Sequence, residues 1–287
     1  METPELVVDS RAELGEGPVW DSMEGRLLWL DIVGGRVHSL DPLTGSDESI
    51  EAVPYVSSIT PRKGGGFVLT AGHAVLAWDG ESSAVLAEIE EPDGNRFNDA
   101  KCDASGRLWA GTMDMNEASP AGSLYMVSPD RSVRRMLGGL TVSNGIDWSP
   151  DGKTMYHADS PTGNVYAYDF RMEDGMIGRS RVFASIPHSQ GFPDGLTVDS
   201  DGMVWIAQWG GWCVSRWSAE GRLMETVKLP VSHVSSCTFG GRKMDTLFIT
   251  SARYGLSGGE LRREPHAGSL FSVVPGAVGR QPHEFDG

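Results

Sequence analysis

Three oxygen-bearing side chains sit beside glycines in widely separated segments: Glu16 in LGEGPVW (14–20), Asn144 in LTVSNGIDWSPDGK (140–153) and Asp194 in GFPDGLTVDSDG (191–202). A neighbouring glycine lets the backbone come close to whatever the side chain binds. Each segment taken alone also suits an ordinary turn, and Asn-Gly is a favoured type I′ pair. Their placement argues for more, because Asn144 and Asp194 each lie six to eight residues ahead of a turn glycine, Gly152 or Gly202. Equivalent positions in adjacent repeats would bring them to one mouth. Glu, Asn and Asp together offer hard oxygen donors with two formal negative charges, a set suited to Ca²⁺, Mg²⁺ or Mn²⁺ rather than to a thiolate-seeking ion. Three protein ligands would leave positions for water and substrate, the open arrangement of a catalytic metal.

A fourth segment, NRFNDAKCDASGRLWAGTMD (95–114), gathers Arg96, Asn98 and Asp99. In an extended strand Arg96 and Asn98 would point the same way. A guanidinium fork beside a carboxamide suits a polyhydroxylated, carbonyl-bearing ligand; a surface salt bridge is the other use of Arg96. The chain has no GxSxG elbow, no HExxH and no P-loop, and its seven histidines form no short-spaced ligand pair, so loop or core roles are expected for most of them. SARYGL (251–256) and GGWCVSRW (210–218) read as core and channel wall.

The elements that would position these residues recur. A glycine-containing turn followed by a short aromatic and β-branched strand appears as EGRLLWLDI (24–32), GGGFVLTAG (64–72), SGRLWAGTM (105–113), DGKTMYHAD (151–159), DGMVWIAQW (201–209) and GRKMDTLFIT (241–250). A second alternating strand follows each copy: RVHSLD, AVLAWD, SLYMVS, NVYAYD, CVSRWS and SLFSVV. Six copies at this period predict an all-β, six-bladed β-propeller in one domain spanning 1–287, whereas a β-sandwich has no need of one phrase six times. Too little chain follows the last copy for its outer strands. The N-terminal run ELVVD (5–9) is therefore expected to complete the final blade and close the ring. The polar tail after Pro275 is expected to fray.

Composition agrees. The 287 residues include 37 glycines, about twice the usual share of about 7%, as many tight turns require. A net charge of −15 repels phosphate backbones and anionic membrane surfaces, which argues against nucleic acid and membrane as partners. The chain shows no leader-like N-terminus and no apolar run of membrane-spanning length, so a cytoplasmic protein is expected. Cys102, Cys213 and Cys237 lie far apart without CxxC pairing and are expected to be buried free thiols.

The phrases GEGPVW, RFNDAKCDASGRLWAGTMD, SNGIDWSPDGKTMYHADS, PDGLTVDSDGMVWIAQWGG and TSARYGL with AGSLFSV run through nearly the whole chain. In that order they resemble the regucalcin (senescence marker protein)/gluconolactonase family, and GGW with LPVSHVSSCTFGG is most similar to its bacterial sugar-lactonase members. The resemblance implies a six-bladed propeller that hydrolyses a sugar lactone, such as glucono-, xylono- or arabinonolactone, to the aldonic acid. It implies one divalent ion, Ca²⁺ first, with Mn²⁺, Zn²⁺, Mg²⁺ or Fe²⁺ as alternatives. By the same resemblance Glu16, Asn144 and Asp194 would be the metal ligands, Arg96 and Asn98 would bind the substrate, and Asp194 would also be the catalytic proton-transfer group. Where regucalcin-like members carry a substrate-contacting glutamate, MDMNEASP places Asn116 at the aligned position, with Glu117 next to it. Two other readings of the scaffold are a non-catalytic Ca²⁺-binding or interaction propeller and a paraoxonase-like esterase.

Overall fold

The computed structural model describes residues 3–287. It holds six four-stranded antiparallel sheets, and neighbouring inner strands pack in turn around one axis until the sixth returns to the first. The inner strands are Gly15–Asp21, Val56–Pro61, Asn95–Cys102, Ser143–Trp148, Phe192–Val198 and Val234–Gly240, in blades 1 to 6. The recurring phrase of the sequence is the second strand of each blade, such as Arg26–Asp31 or Val204–Trp209, and the phrase after it is the third strand. Outer strands such as Ser46–Glu51 and Met176–Ser185 are polar and mostly exposed, as an edge next to water requires. No helix among the described residues is long and apolar enough to cross a membrane.

Local chemistry explains why the phrase recurs. In blade 3, Asp103 Oδ1 accepts from the backbone N–H of Ser105 (2.9 Å) and Arg107 (3.2 Å), while Oδ2 accepts from Arg107 Nε (2.6 Å) and Trp109 Nε1 (2.9 Å). Blade 5 repeats the device. Asp199 Oδ1 takes the N–H groups of Asp201 (3.0 Å) and Met203 (2.9 Å), and Oδ2 takes Trp205 Nε1 (3.0 Å) and Arg216 Nη2 (2.8 Å). One fully buried carboxylate thus closes the turn and satisfies the indole that anchors the next strand.

The core lies between blades rather than at the axis. Trp109 meets Trp148 of blade 4 at 6.0 Å, Trp205 meets Phe239 of blade 6 at 5.6 Å, and Trp20 of blade 1 stacks on Phe248 of blade 6 at 6.2 Å. Burying a large side chain of this kind contributes about 1.5–3 kcal/mol, so the ring is held by its blade interfaces. Closure follows the sequence expectation. Glu5–Val8 pairs antiparallel with Leu270–Val273, placing Leu6 opposite Phe271, and Ala12 N–H donates to Gly268 O at 2.8 Å. The three cysteines are free and buried.

The tail after Pro275 does not fray. It crosses the far end of the channel and bonds to all six blades. Gly279 N–H donates to Met244 O (2.7 Å) and Val278 O accepts from Ser200 N–H (2.8 Å). Arg280 Nη2 reaches Asp147 Oδ1 (3.0 Å) and Trp148 O (2.6 Å), and Gln281 pairs with Ser22. Phe285 N–H donates to Pro61 O (2.9 Å), Asp286 N–H to Gly106 O (3.1 Å), and Arg62 Nη2 to Gly287 O (2.7 Å). Phe285 is fully buried among Val68, Phe97 and Leu108. A polar composition hid this role because the strap is held by backbone and charged groups, with one aromatic anchor.

Candidate active site

The four segments singled out by their chemistry are inner strands rather than loops, and each breaks register where its functional residue sits. The shifts fall between Glu16 and Val19, Phe97 and Ala100, Ser143 and Ile146, and Pro193 and Leu196; the inner strands of blades 2 and 6 break at the equivalent place. A bulge re-aims the side chains on either side of it. Here it divides the channel. Glu16, Asn98, Asn144 and Asp194 face a cavity of about 560 Å³ at one mouth, while Asp99, Lys101 and Asp147 face a smaller space of about 60 Å³ under the C-terminal strap. In blades 4 and 5 the inner strands can converge because glycines, Gly145 and Gly195, follow the functional residues. A Cβ on Gly145 would stand 2.5 Å from Asp194 O and from Leu196 N.

Glu16, Asn144 and Asp194 are each less than 10% exposed and share the floor of the larger cavity. Glu16 Oε2 accepts from Gly17 N–H (2.9 Å), and Asn144 Nδ2 donates to Ser160 Oγ (3.1 Å). Asn144 Oδ1 and Asp194 Oδ1 are buried with no hydrogen-bond partner. Burial pushes the Glu16 carboxyl up to about 8; Asp99 adds to the shift, while Gly17 N–H and Arg96 oppose it. Burial also raises Asp194 well above the usual carboxylate range, with Glu16 and Asp99 adding repulsion and Asn144 and Gly195 N–H opposing. Two buried carboxylates beside orphaned oxygens fit a hard divalent cation, which would neutralise the pair and fill the open acceptor sites. Among the described residues no group of three or more His, Cys, Asp and Glu could hold a metal; this donor set has two carboxylates and one amide oxygen.

A pH dependence follows. Because the folded-state pKa of Glu16 lies above its ordinary 4.5, the stability it permits is complete below that value and is lost as pH rises through about 8. Chelator-treated protein should therefore lose Tm between pH 5 and pH 8, and Glu16→Gln should flatten that fall. A Glu16→Gln profile as steep as the parent's would contradict the assignment.

Arg96 and Asn98 lie on the same cavity. Arg96 Nη1 donates to Phe97 O (2.8 Å) and to Asn98 Oδ1 (3.0 Å), and Asn98 Nδ2 donates to Ser143 O (3.0 Å), which ties blade 3 to blade 4 beside Asn144. Asn116 is placed differently from the sequence expectation. It is exposed and does not border the cavity, whereas Glu117, one residue on, does. The cause is an Asx turn: Asp114 accepts from the N–H groups of Asn116 (3.0 Å) and Ala118 (3.2 Å), and Glu117 takes a left-handed φ of 52°.

Other lining residues carried no clear signal in the sequence. Tyr55 lies outside the quoted phrases, Ser160 closes SNGIDWSPDGKTMYHADS with no role expected of it, and Tyr254, in SARYGL with its expected place in core or channel wall, is half-exposed at the mouth. His233, expected in a loop or core role, lines the wall. It stacks on Trp209 with ring centroids 4.1 Å apart, and its Nδ1 pairs with Tyr254 O at 3.1 Å.

Comparison with known proteins agrees with this architecture. Regucalcin of Gallus gallus is 38% identical over 99% of this chain and 98% of its own length. The Bacillus subtilis protein assigned as sugar lactone lactonase YvrE is 34% identical over 98% of each chain. Among solved structures, a calcium-binding protein, regucalcin, from Agrobacterium tumefaciens superposes with a TM-score of 0.94 at 26% identity over 99% of both chains. A gluconolactonase from Xanthomonas campestris shares the fold at a TM-score of 0.75, with 24% identity over 95% of this chain and 94% of its own. The family model described as SMP-30/Gluconolactonase/LRE-like region matches residues 14–253, and the chain belongs to that family.

Proposed function

We propose that this chain is a divalent-metal-dependent hydrolase that opens sugar lactones to aldonic acids. Family membership supports lactone hydrolysis. The observation that carries the metal-dependent reading is the cavity floor, where the unpartnered Asn144 Oδ1 and Asp194 Oδ1 lie with Glu16 beside Arg96 and Asn98. Glu16, Asn144 and Asp194 hold the ion, with Ca²⁺ as the first candidate given an all-oxygen donor set. When bound, the ion supplies Lewis-acid polarisation of the lactone carbonyl and acidifies water.

The side chains supply the rest. Arg96 spends one nitrogen on Phe97 O and Asn98 Oδ1, leaving further N–H donors for ring hydroxyls and for the charge that develops on the carbonyl oxygen. Asn98, held by Arg96 and by Ser143 O, orients the ring. Asp194 accepts the proton of the attacking water; because a carboxylate that also holds an ion is a weak base, this transfer relies on the acidity of the water. Water oxygen bonds to C1, the ring C–O bond breaks, and the ring oxygen leaves as a hydroxyl after taking up a proton.

A panel of aldonolactones assayed with and without chelator tests this reading. Turnover should vanish on chelation and return with one added divalent ion, whereas chelator-insensitive turnover would overturn the metal dependence. Selectivity should follow the placement of Glu117. Glu117→Gln should raise KM for aldonolactones about tenfold, the effect of losing a charge-assisted hydrogen bond. Asn116→Ala should leave KM within about twofold, as expected for a side chain off the cavity.

A further inference from the structure

We propose that this site also hydrolyses lactones bearing an apolar side chain, a class chemically distinct from polyhydroxylated sugar lactones; the inference rests on the lactonase reading above. Five charged or amide side chains are the most buried polar groups of the cavity, and much of the rest of its lining is apolar. Glu16, Arg96, Asn98, Asn144 and Asp194 line the cavity and are each less than 10% exposed, which is where a lactone ring would be held. Beyond them the lining side chains that carry polar atoms are Glu117, Ser160 and His233, together with the Tyr55 and Tyr254 hydroxyls and the Trp209 indole N–H. Two of these are already engaged, Ser160 Oγ by Asn144 and His233 Nδ1 by Tyr254 O.

Large apolar surfaces make up much of the remaining lining. Met113 and Phe192 line the wall, and the rim carries Val33, Tyr55, Met115 and Tyr254, exposed by 46%, 45%, 41% and 48%. Scattered exposed apolar residues are ordinary, but four around one mouth, continuous with an apolar wall, form a binding surface. At about 560 Å³ the cavity is of the size that encloses a drug-sized ligand, and a single sugar ring leaves much of it unfilled. Hydroxyls turned toward Val33, Met113, Met115 and Phe192 would lose water without gaining partners, whereas an alkyl chain there would gain burial. Methionine at the wall and the rim adapts to chains of different length. The ligand geometry this favours is a lactone head on the floor and an alkyl substituent running outward to Tyr55 and Tyr254. The chemistry needs no new group: water adds to the carbonyl carbon, the ring C–O bond breaks, and one hydroxycarboxylate and one proton are released.

The test is a series of γ-lactones from γ-butyrolactone through γ-hexalactone and γ-octalactone to γ-decalactone, assayed beside an aldonolactone. kcat/KM should rise with chain length by two- to fourfold per methylene, fourfold being about the limit for full burial. The double variant Met115→Ser with Tyr254→Ser should flatten that slope, with γ-butyrolactone measured in the same variant as the reference, so that a general loss of folded enzyme does not mimic the result. Asp194→Asn should abolish turnover of the alkyl lactones together with that of the aldonolactone. A flat series with the aldonolactone still hydrolysed overturns the alkyl-lactone proposal and leaves the lactonase reading standing. If no lactone is turned over, both fall. Alkyl-lactone turnover that survives Asp194→Asn belongs to another site and also overturns the proposal.

Discussion

Asp194→Asn should lower kcat/KM on aldonolactones by about 10³, within the range of about 10²–10⁴ for loss of a positioned acid or base. The substitution keeps the side-chain shape and removes its charge. Because burial and the neighbouring Glu16 make that charge costly without an ion, the variant should be more stable than the parent in chelator. It should also lose much of the stabilisation that a divalent ion confers. For the parent that gain is about 2.7 kcal/mol at a hundredfold excess over Kd, or roughly 5–10 °C in Tm for a chain of this size. Activity and thermal unfolding, each measured with and without ion, separate this from simple damage. A variant that is inactive but still gains the full ion-induced Tm would show that Asp194 is not a ligand. One that keeps its activity would remove Asp194 from the reaction.

The second large effect concerns the C-terminal strap. Phe285→Ala should destabilise the protein by about 3–5 kcal/mol, the usual cost of emptying a fully buried phenylalanine site, and lower Tm by roughly 10 °C. Deleting residues 275–287 should cost more, because Asp147 would lose Arg280 while remaining buried. Burial pushes the Asp147 carboxyl up; Lys101, Arg280 and the N–H groups of Trp148 and Val198 together outweigh that and hold it below its ordinary value. With the strap gone, Lys101 Nζ at 3.1 Å would be its one remaining cationic partner. The strap lies at the end of the channel away from the substrate cavity, so KM should change little in protein that remains folded. A Phe285→Ala protein with unchanged Tm would show that the strap is ornamental.

How far the site could be read in advance follows from the range of the interactions that build it. Glu16, Asn144, Asp194, Arg96 and Asn98 stood out because each lies in a short phrase whose glycines and turns are local chemistry, and the cavity gathers all five. Asn116 stood out for the wrong reason. Counting along a motif cannot register that Asp114 captures two backbone N–H groups and swings Glu117 into a left-handed conformation. Trp209 and His233 were missed because a cavity wall made of aromatic residues has the same composition as a core, whereas Tyr254 lies in SARYGL, read from the sequence as core and channel wall.

The sequence by itself determined the six-fold repeat, the strand order within each blade and the closure of the ring by residues 5–8. Turn, strand and capping aspartate are encoded within about ten residues of one another, and a sheet lacking a strand must find one. Tertiary structure alone decided which way the functional side chains face. The inner strands of all six blades break register at one level of the channel, and this sends Asn98 to the substrate cavity and Asp99 to the opposite compartment. A bulge is a compromise between a strand's own pairing and the crowding of six strands around one axis, and that crowding exists only once the ring has closed.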